Sequence, residues 1–231
     1  MLGPQFVNKK LWATQTEDKD CDGVITTEDC DDENADFSSD NDQNDICDGR
    51  EYCEGNFVVQ NQEDAVHVEH CIEITGNLTM TYDDSSCLAK LRAVGGHLNV
   101  QNSNLYHLDD FFKLETVGGD LTVEGNVSLE NIDGLFRLIS IGGDFNLIDN
   151  TYLSTLNGLY NLEHIEGDLV IQDNDYLSDI DGLYGLVSFD GDLVIKTNDY
   201  LCTSQADTFV EYLIDMLDWQ GFSSIINNDS C

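Results

Sequence analysis

The chain has 231 residues, with 46 Asp or Glu against 9 Lys or Arg, a formal net charge of −37. That balance argues against nucleic acid and anionic membrane surfaces as partners. A hydrophobic content of 41% supports a folded protein, although so much like charge opposes compaction unless cations screen or bind it.

Residues 1–16 differ from all that follows. Phe6, Val7, Leu11 and Trp12 stand beside Lys9 and Lys10, so this arm is either a floppy tail or a docking and assembly segment. Residues 17–52 form an acidic block with few apolar residues; without metal such a segment cannot bury enough surface to fold. Within it, Asp18, Asp20, Asp22, Gly23 and Asp29 have the spacing of a calcium loop. Acids at positions 1, 3 and 5 converge on one point, glycine at 6 makes the turn, and Asp29 closes the loop at 12. Val24 would offer its carbonyl and Thr26 a further oxygen. Asp29 is shorter than the usual Glu, and no flanking helices are read. Asp31, Asp32, Asp40, Asp42 and Asp45 are candidates for a second cation site.

From residue 53 to 231 a solenoid is predicted. Asn102, Asn126, Asn150, Asn174 and Asn198 lie 24 residues apart, each within a recurring phrase such as Ile165–Ser188. A fixed period of this length is the mark of stacked coils. Leu129, Ile132, Leu135, Leu138 and Ile141 are spaced in threes. One short strand per coil is expected (Leu98–Val100, Leu121–Val123, Phe145–Leu147, Leu169–Ile171, Leu193–Ile195), with turns at Asp133-Gly134, Asn157-Gly158 and Asp181-Gly182. The expected fold is mainly β: a right-handed parallel β-solenoid of about six 24-residue coils, leucine-rich-repeat-like, starting near Ile74. The asparagines are expected to bond backbone groups at the coil bend. Asp120, Asp144, Asp168 and Asp192, with His97 and Asn77 in line, should repel one another; they read as a solvated edge or as ligands of shared cations. Phe112, Phe136, Tyr160 and Tyr184 form an aromatic column, as do Tyr152, Tyr176 and Tyr200; stacking or sugar binding would explain either. After Cys202, Ser204 with Asp207 suggests a helix start, Val210, Leu213, Ile214 and Leu217 an apolar stripe, and Gly221 a stop. This segment, 203–231, is expected to cap the open core.

Eight cysteines, clustered toward the two ends with none in a CxxC pair, read as disulfides of an oxidising compartment. Sequence does not fix connectivity. Cys53–Cys71 and Cys202–Cys231 are the preferred pairs, then Cys30–Cys47, with Cys21–Cys87 left by elimination. Asn77 and Asn228 head glycosylation sequons; Asn126 does too, but its place in the column argues against modification. No signal peptide or transmembrane stretch is read, so a mature or excised portion of a secreted protein is expected, extracellular or at the cell surface, without membrane insertion.

The block Asp18–Asp32 resembles the calcium-binding aspartate repeats of thrombospondin type 3 segments. Residues 53–231 resemble the receptor L domain, the leucine-rich-like solenoid of insulin and epidermal growth factor receptor ectodomains. The phrase Cys71–Met80 is similar to that family's opening coil and Ile165–Ile171 to its internal coils. The resemblance implies the fold; such domains serve receptors, adhesins and structural proteins alike. The furin-like region and kinase of the receptors are missing, so growth-factor binding is not implied. Five scattered histidines without a nucleophile motif give no sign of an enzyme. Three functions fit: a calcium-stabilised structural or adhesive surface module whose partner is a cell-surface protein or glycan; a filament subunit joined to itself head to tail through the arm; or a salt-adapted spacer.

Overall fold

The computed structural model describes residues 52–229 and Cys231, within a unit that begins at Tyr52. These residues form a solenoid with two parallel sheets, one of seven strands and one of eight. Each coil but the last places a two-residue strand in the short sheet, turns a corner, and places a three- or four-residue strand in the long sheet. One coil reads Ser140–Ile141, the corner Gly142-Gly143-Asp144, Phe145–Ile148, then a 3₁₀ turn at Asn157–Leu159. Two strands per coil replace the expected one. The missed strands are two residues long, too short to show alternation, and exist only because a neighbouring coil pairs with them.

The leucine positions spaced in threes wrap the third side, where the coils carry one 3₁₀ turn each, such as Asp133–Leu135, with three residues per turn. The coil from Phe145 buries Phe145, Leu147, Leu153, Leu156, Leu159, Leu162 and Ile165 completely, together with Asn150. The next coil repeats the set. The Asp-Gly and Asn-Gly pairs sit inside these turns. Their glycines are required by close packing: a Cβ on Gly158 would collide with the Ile132 carbonyl of the preceding coil.

The period is less uniform than expected. Long-sheet partners Phe57↔Leu78, Leu78↔Leu98 and Leu98↔Leu121 are 21, 20 and 23 residues apart; the 24-residue step holds from Leu121 to Leu193; the last step, Leu193↔Ser223, is 30. The series therefore begins at Phe57 rather than near Ile74. The 23-residue coil also moves Asn102 out of the asparagine column. Ser103 takes its place, donating through N and Oγ to Asn126 Oδ1. Asn102 instead occupies a left-handed position (φ 52°) shared with Gly125, Asp149, Asp173, Thr197 and Asn227. Gly, Asn and Asp suit that conformation; Thr197 does not.

Two side-chain ladders tie the coils together. In the first, the backbone N–H of each rung donates to the asparagine of the following coil, Asn126 to Asn150, Asn150 to Asn174, Asn174 to Asn198 and Asn198 to Asn228, at 3.0–3.2 Å. Each amide nitrogen reaches back to a strand carbonyl, as Asn174 Nδ2 does to Leu147 O at 2.9 Å. The second ladder runs the other way. The N–H groups of Asn77, His97, Asp120, Asp144, Asp168, Asp192 and Phe222 each donate to the side chain one coil earlier, from Asn56 to Asp192, at 2.8–2.9 Å. The aspartate column thus has a bonding role that outweighs the expected repulsion, since a carboxylate is a strong acceptor for a backbone N–H.

Helix α1 (Gln62–Ala65) packs at the first coil and is capped by Asn61 Oδ1. Helix α2 (Thr203–Leu217) closes the far end and buries Ala206, Phe209 and Leu213. It differs in detail from the expected helix. Its N-cap is Cys202 rather than Ser204, Ile214 is half exposed, and it stops at Asp218 in the left-handed region rather than at Gly221. Phe209, at the right spacing from Ala206 and Leu213, is the anchor the stripe lacked. The chain then returns as Ser223–Ile226, the last strand of the long sheet.

Candidate functional site: the outer face of the long sheet

Strand alternation sends every second long-sheet residue outward. The outward positions are Val58, Thr79, Asn99, Gln101, Thr122, Glu124, Asn146, Ile148, Val170, Gln172, Val194, Lys196, Ser224 and Ile226. Only Glu124 and Lys196 carry charge, and they cancel. On a chain with 46 acids, a whole sheet face without net charge offers a partner little electrostatic resistance. Eight strands at about 4.8 Å and four residues at about 3.3 Å give roughly 450 Å². That is about half the footprint of a standard-sized partner, so binding here recruits flanking loops as well. The threonines, asparagines and glutamines among them offer hydrogen bonds to a polar ligand; they do not assemble a nucleophile with a base.

The sequence-derived site residues divide into two sets. The arm (Phe6, Val7, Lys9, Lys10, Leu11, Trp12), the calcium loop (Asp18, Asp20, Asp22, Val24, Thr26, Asp29), the second acidic group (Asp31, Asp32, Asp40, Asp42, Asp45) and Cys21, Cys30 and Cys47 lie outside the described residues. The others are placed. Cys53–Cys71 and Cys202–Cys231 are disulfides, one at each end of the solenoid. Cys87 is buried and has no disulfide partner among the described residues; the expected pair Cys21–Cys87 involves Cys21, which lies outside them. Burial, then the charge of Asp84, pushes this thiol up to about 11, so it is unreactive at neutral pH. Asn77 and Asn228 are both ladder rungs. Asn228 donates its amide to Ile195 O at 3.0 Å while accepting from Asn198, which makes it scaffold rather than a free glycan acceptor. Among the described residues, the grouping Cys53, His70 and Cys71 comes close enough to hold an ion, but its two sulfurs are bonded to each other.

The aromatic columns separate in the same way. Tyr152, Tyr176 and Tyr200 stack at 5.2 and 5.1 Å, with planes 24° and 9° apart. Although the rings are about half exposed, both faces of Tyr176 and the inner faces of Tyr152 and Tyr200 are spent on one another. In the other column, Tyr184 packs edge-on against Phe209 and Tyr212 beneath the cap. Phe112 and Phe136 are instead overlaid by Lys113 and Arg137, at 5.4 and 5.8 Å from the ring centroids.

With this geometry in hand, comparison with known proteins gives one correspondence. Residues 70–133 match the family model of the receptor L domain. The matched stretch runs from the first disulfide through the Asp133 turn and contains the irregular coils, where the 24-residue phrase is weakest. No curated protein and no solved structure is a match. Among the described residues, no helix is long and apolar enough to cross a membrane.

Proposed function

We propose that the chain is an extracellular recognition or adhesion module, a binding protein rather than an enzyme, whose ligand contacts the outer face of the long sheet. The observation that carries this reading is the absence of net charge on that face in a chain of −37. The receptor L domain match over residues 70–133 supports a receptor-type module, and disulfides at both ends suit an oxidising compartment. Arrays of immobilised glycans and cell-surface proteins test it. A ligand should be captured by the full chain and lost by Asn146→Arg, which puts a bulky charge at the centre of the face without changing the melting temperature. Capture that survives Asn146→Arg, or no capture at all, removes the reading.

Calcium stabilisation and head-to-tail assembly through residues 1–16 are part of the proposal in a second form. The spacing of Asp18, Asp20, Asp22 and Asp29 supports the metal. A sheet edge supports assembly: among the described residues, Ser223–Ile226 pairs on one side only, beside an exposed Phe222. Negative-stain microscopy with and without chelator should show filaments that dissolve when calcium is withdrawn or residues 1–16 are deleted. Monodisperse particles under every condition would leave only the adhesive module.

A further inference from the structure

Among residues 52–231 there are five cations, and four of them lie on one patch away from the long sheet. Register fixes their places. Ala93, Thr116 and Ser140 are partners in the short sheet, so Lys90, Lys113 and Arg137, each three residues earlier, occupy one position in three successive coils. Arg92 stands beside them and pairs with Glu115 at 3.6 Å. The other three have no carboxylate within 4.0 Å among the described residues. Like charges stacked at roughly 4.8 Å repel. On a surface so rich in acids, a column of cations without carboxylate partners is a local positive patch that an anionic group can occupy.

Two further features narrow the occupant. Phe112 and Phe136 hold the heads of Lys113 and Arg137 over their rings, which orders these side chains before binding. Immediately beside them lies a groove of about 260 Å³ lined by Glu115, Arg137, Ile139, Asn161 and Glu163. Its surroundings include the exposed ring of Tyr160. Arg137 suits a carboxylate. Asn161, Glu115 and Glu163 suit hydroxyl groups, and the Tyr160 ring suits the C–H face of a sugar. A densely charged polyanion would be repelled by the body of the protein and by the two glutamates. A polymer with one carboxylate per sugar meets one cation per coil.

We propose that the Lys90–Lys113–Arg137 column and its groove bind an acidic oligosaccharide of the uronate type. This site is separate from the long-sheet face, and the proposal does not depend on that reading. The test titrates the full chain with hexagalacturonate, without added divalent cation so that metal bridging between polyanions does not register. Maltohexaose and a hexaglutamate peptide serve as comparators. Hexagalacturonate should bind, and Lys113→Gln with Arg137→Gln should weaken it by roughly tenfold or more. Asn146→Arg should leave it unchanged. Should the double variant melt early, Lys90→Gln alone, at an exposed site, should still weaken binding measurably. Absence of binding, or binding indifferent to these substitutions, overturns the proposal. Equal binding of hexaglutamate overturns it in favour of an acidic protein partner, and equal binding of maltohexaose removes the role of the cations.

Discussion

Asn174→Ala is expected to destabilise the solenoid by about 4 kcal/mol. The side chain is fully buried. Its Oδ1 accepts from Asn150 N and Nδ2, at 3.0 and 3.2 Å, and its Nδ2 donates to Leu147 O. Truncation leaves the Asn150 N–H without a partner in a dry interior and strips the Leu147 carbonyl of a donor. Asn174→Asp, nearly identical in shape, should be worse at neutral pH. It sets a carboxylate oxygen where Nδ2 faced Leu147 O and Asn198 Oδ1. Burial raises the pKa of that carboxyl above its unfolded value. Relative to the parent protein, the variant's stability should be greatest at low pH and fall as pH rises through the raised value. Urea titration at two pH values checks both. An Asn174→Ala loss below about 1 kcal/mol would mean that the ladder is decorative.

Removal of the C-terminal bridge, by Cys202→Ser with Cys231→Ser, is expected to cost about 3.5 kcal/mol. The bridge closes a segment with a sequence separation of 29. This segment contains α2, the strand Ser223–Ile226 and the last ladder rung, Asn228. Hydrogen exchange should therefore rise first in α2 and in the final strand, then in the rung at Asn198, while the strands from Phe57 to Val100 stay protected. Uniform loss of protection would show instead that the solenoid unfolds as one unit.

The solenoid itself was legible because a 24-residue coil repeats its apolar and asparagine positions in sequence. What the sequence hid depends on neighbours. The two-residue strands, such as His164–Ile165, carry no pattern of their own and are defined by pairing across coils. Counting by 24 placed Asn102 in the asparagine column because nothing local reports that its coil has 23 residues. Charge counting saw repulsion in Asp120, Asp144, Asp168 and Asp192 and missed the backbone N–H each one accepts. The long-sheet face was foreseen only as an exposed sheet. Its neutrality needs the in–out assignment of each strand, and the Lys90–Lys113–Arg137 column needs the unequal coil lengths.

The opposed directions of the two ladders bear on how such a protein can grow. Each internal coil both gives and receives on each ladder, so a duplicated 24-residue unit between Leu121 and Leu193 would splice in without leaving a bond unmade. The ends have no such freedom. The asparagine ladder must finish on an acceptor at the C-terminal side, supplied by Asn228, and the corner ladder must start from one at the N-terminal side, supplied by Asn56. Lengthening by tandem duplication is therefore open to the middle of the chain, whereas the two termini are fixed parts that every longer or shorter version has to carry.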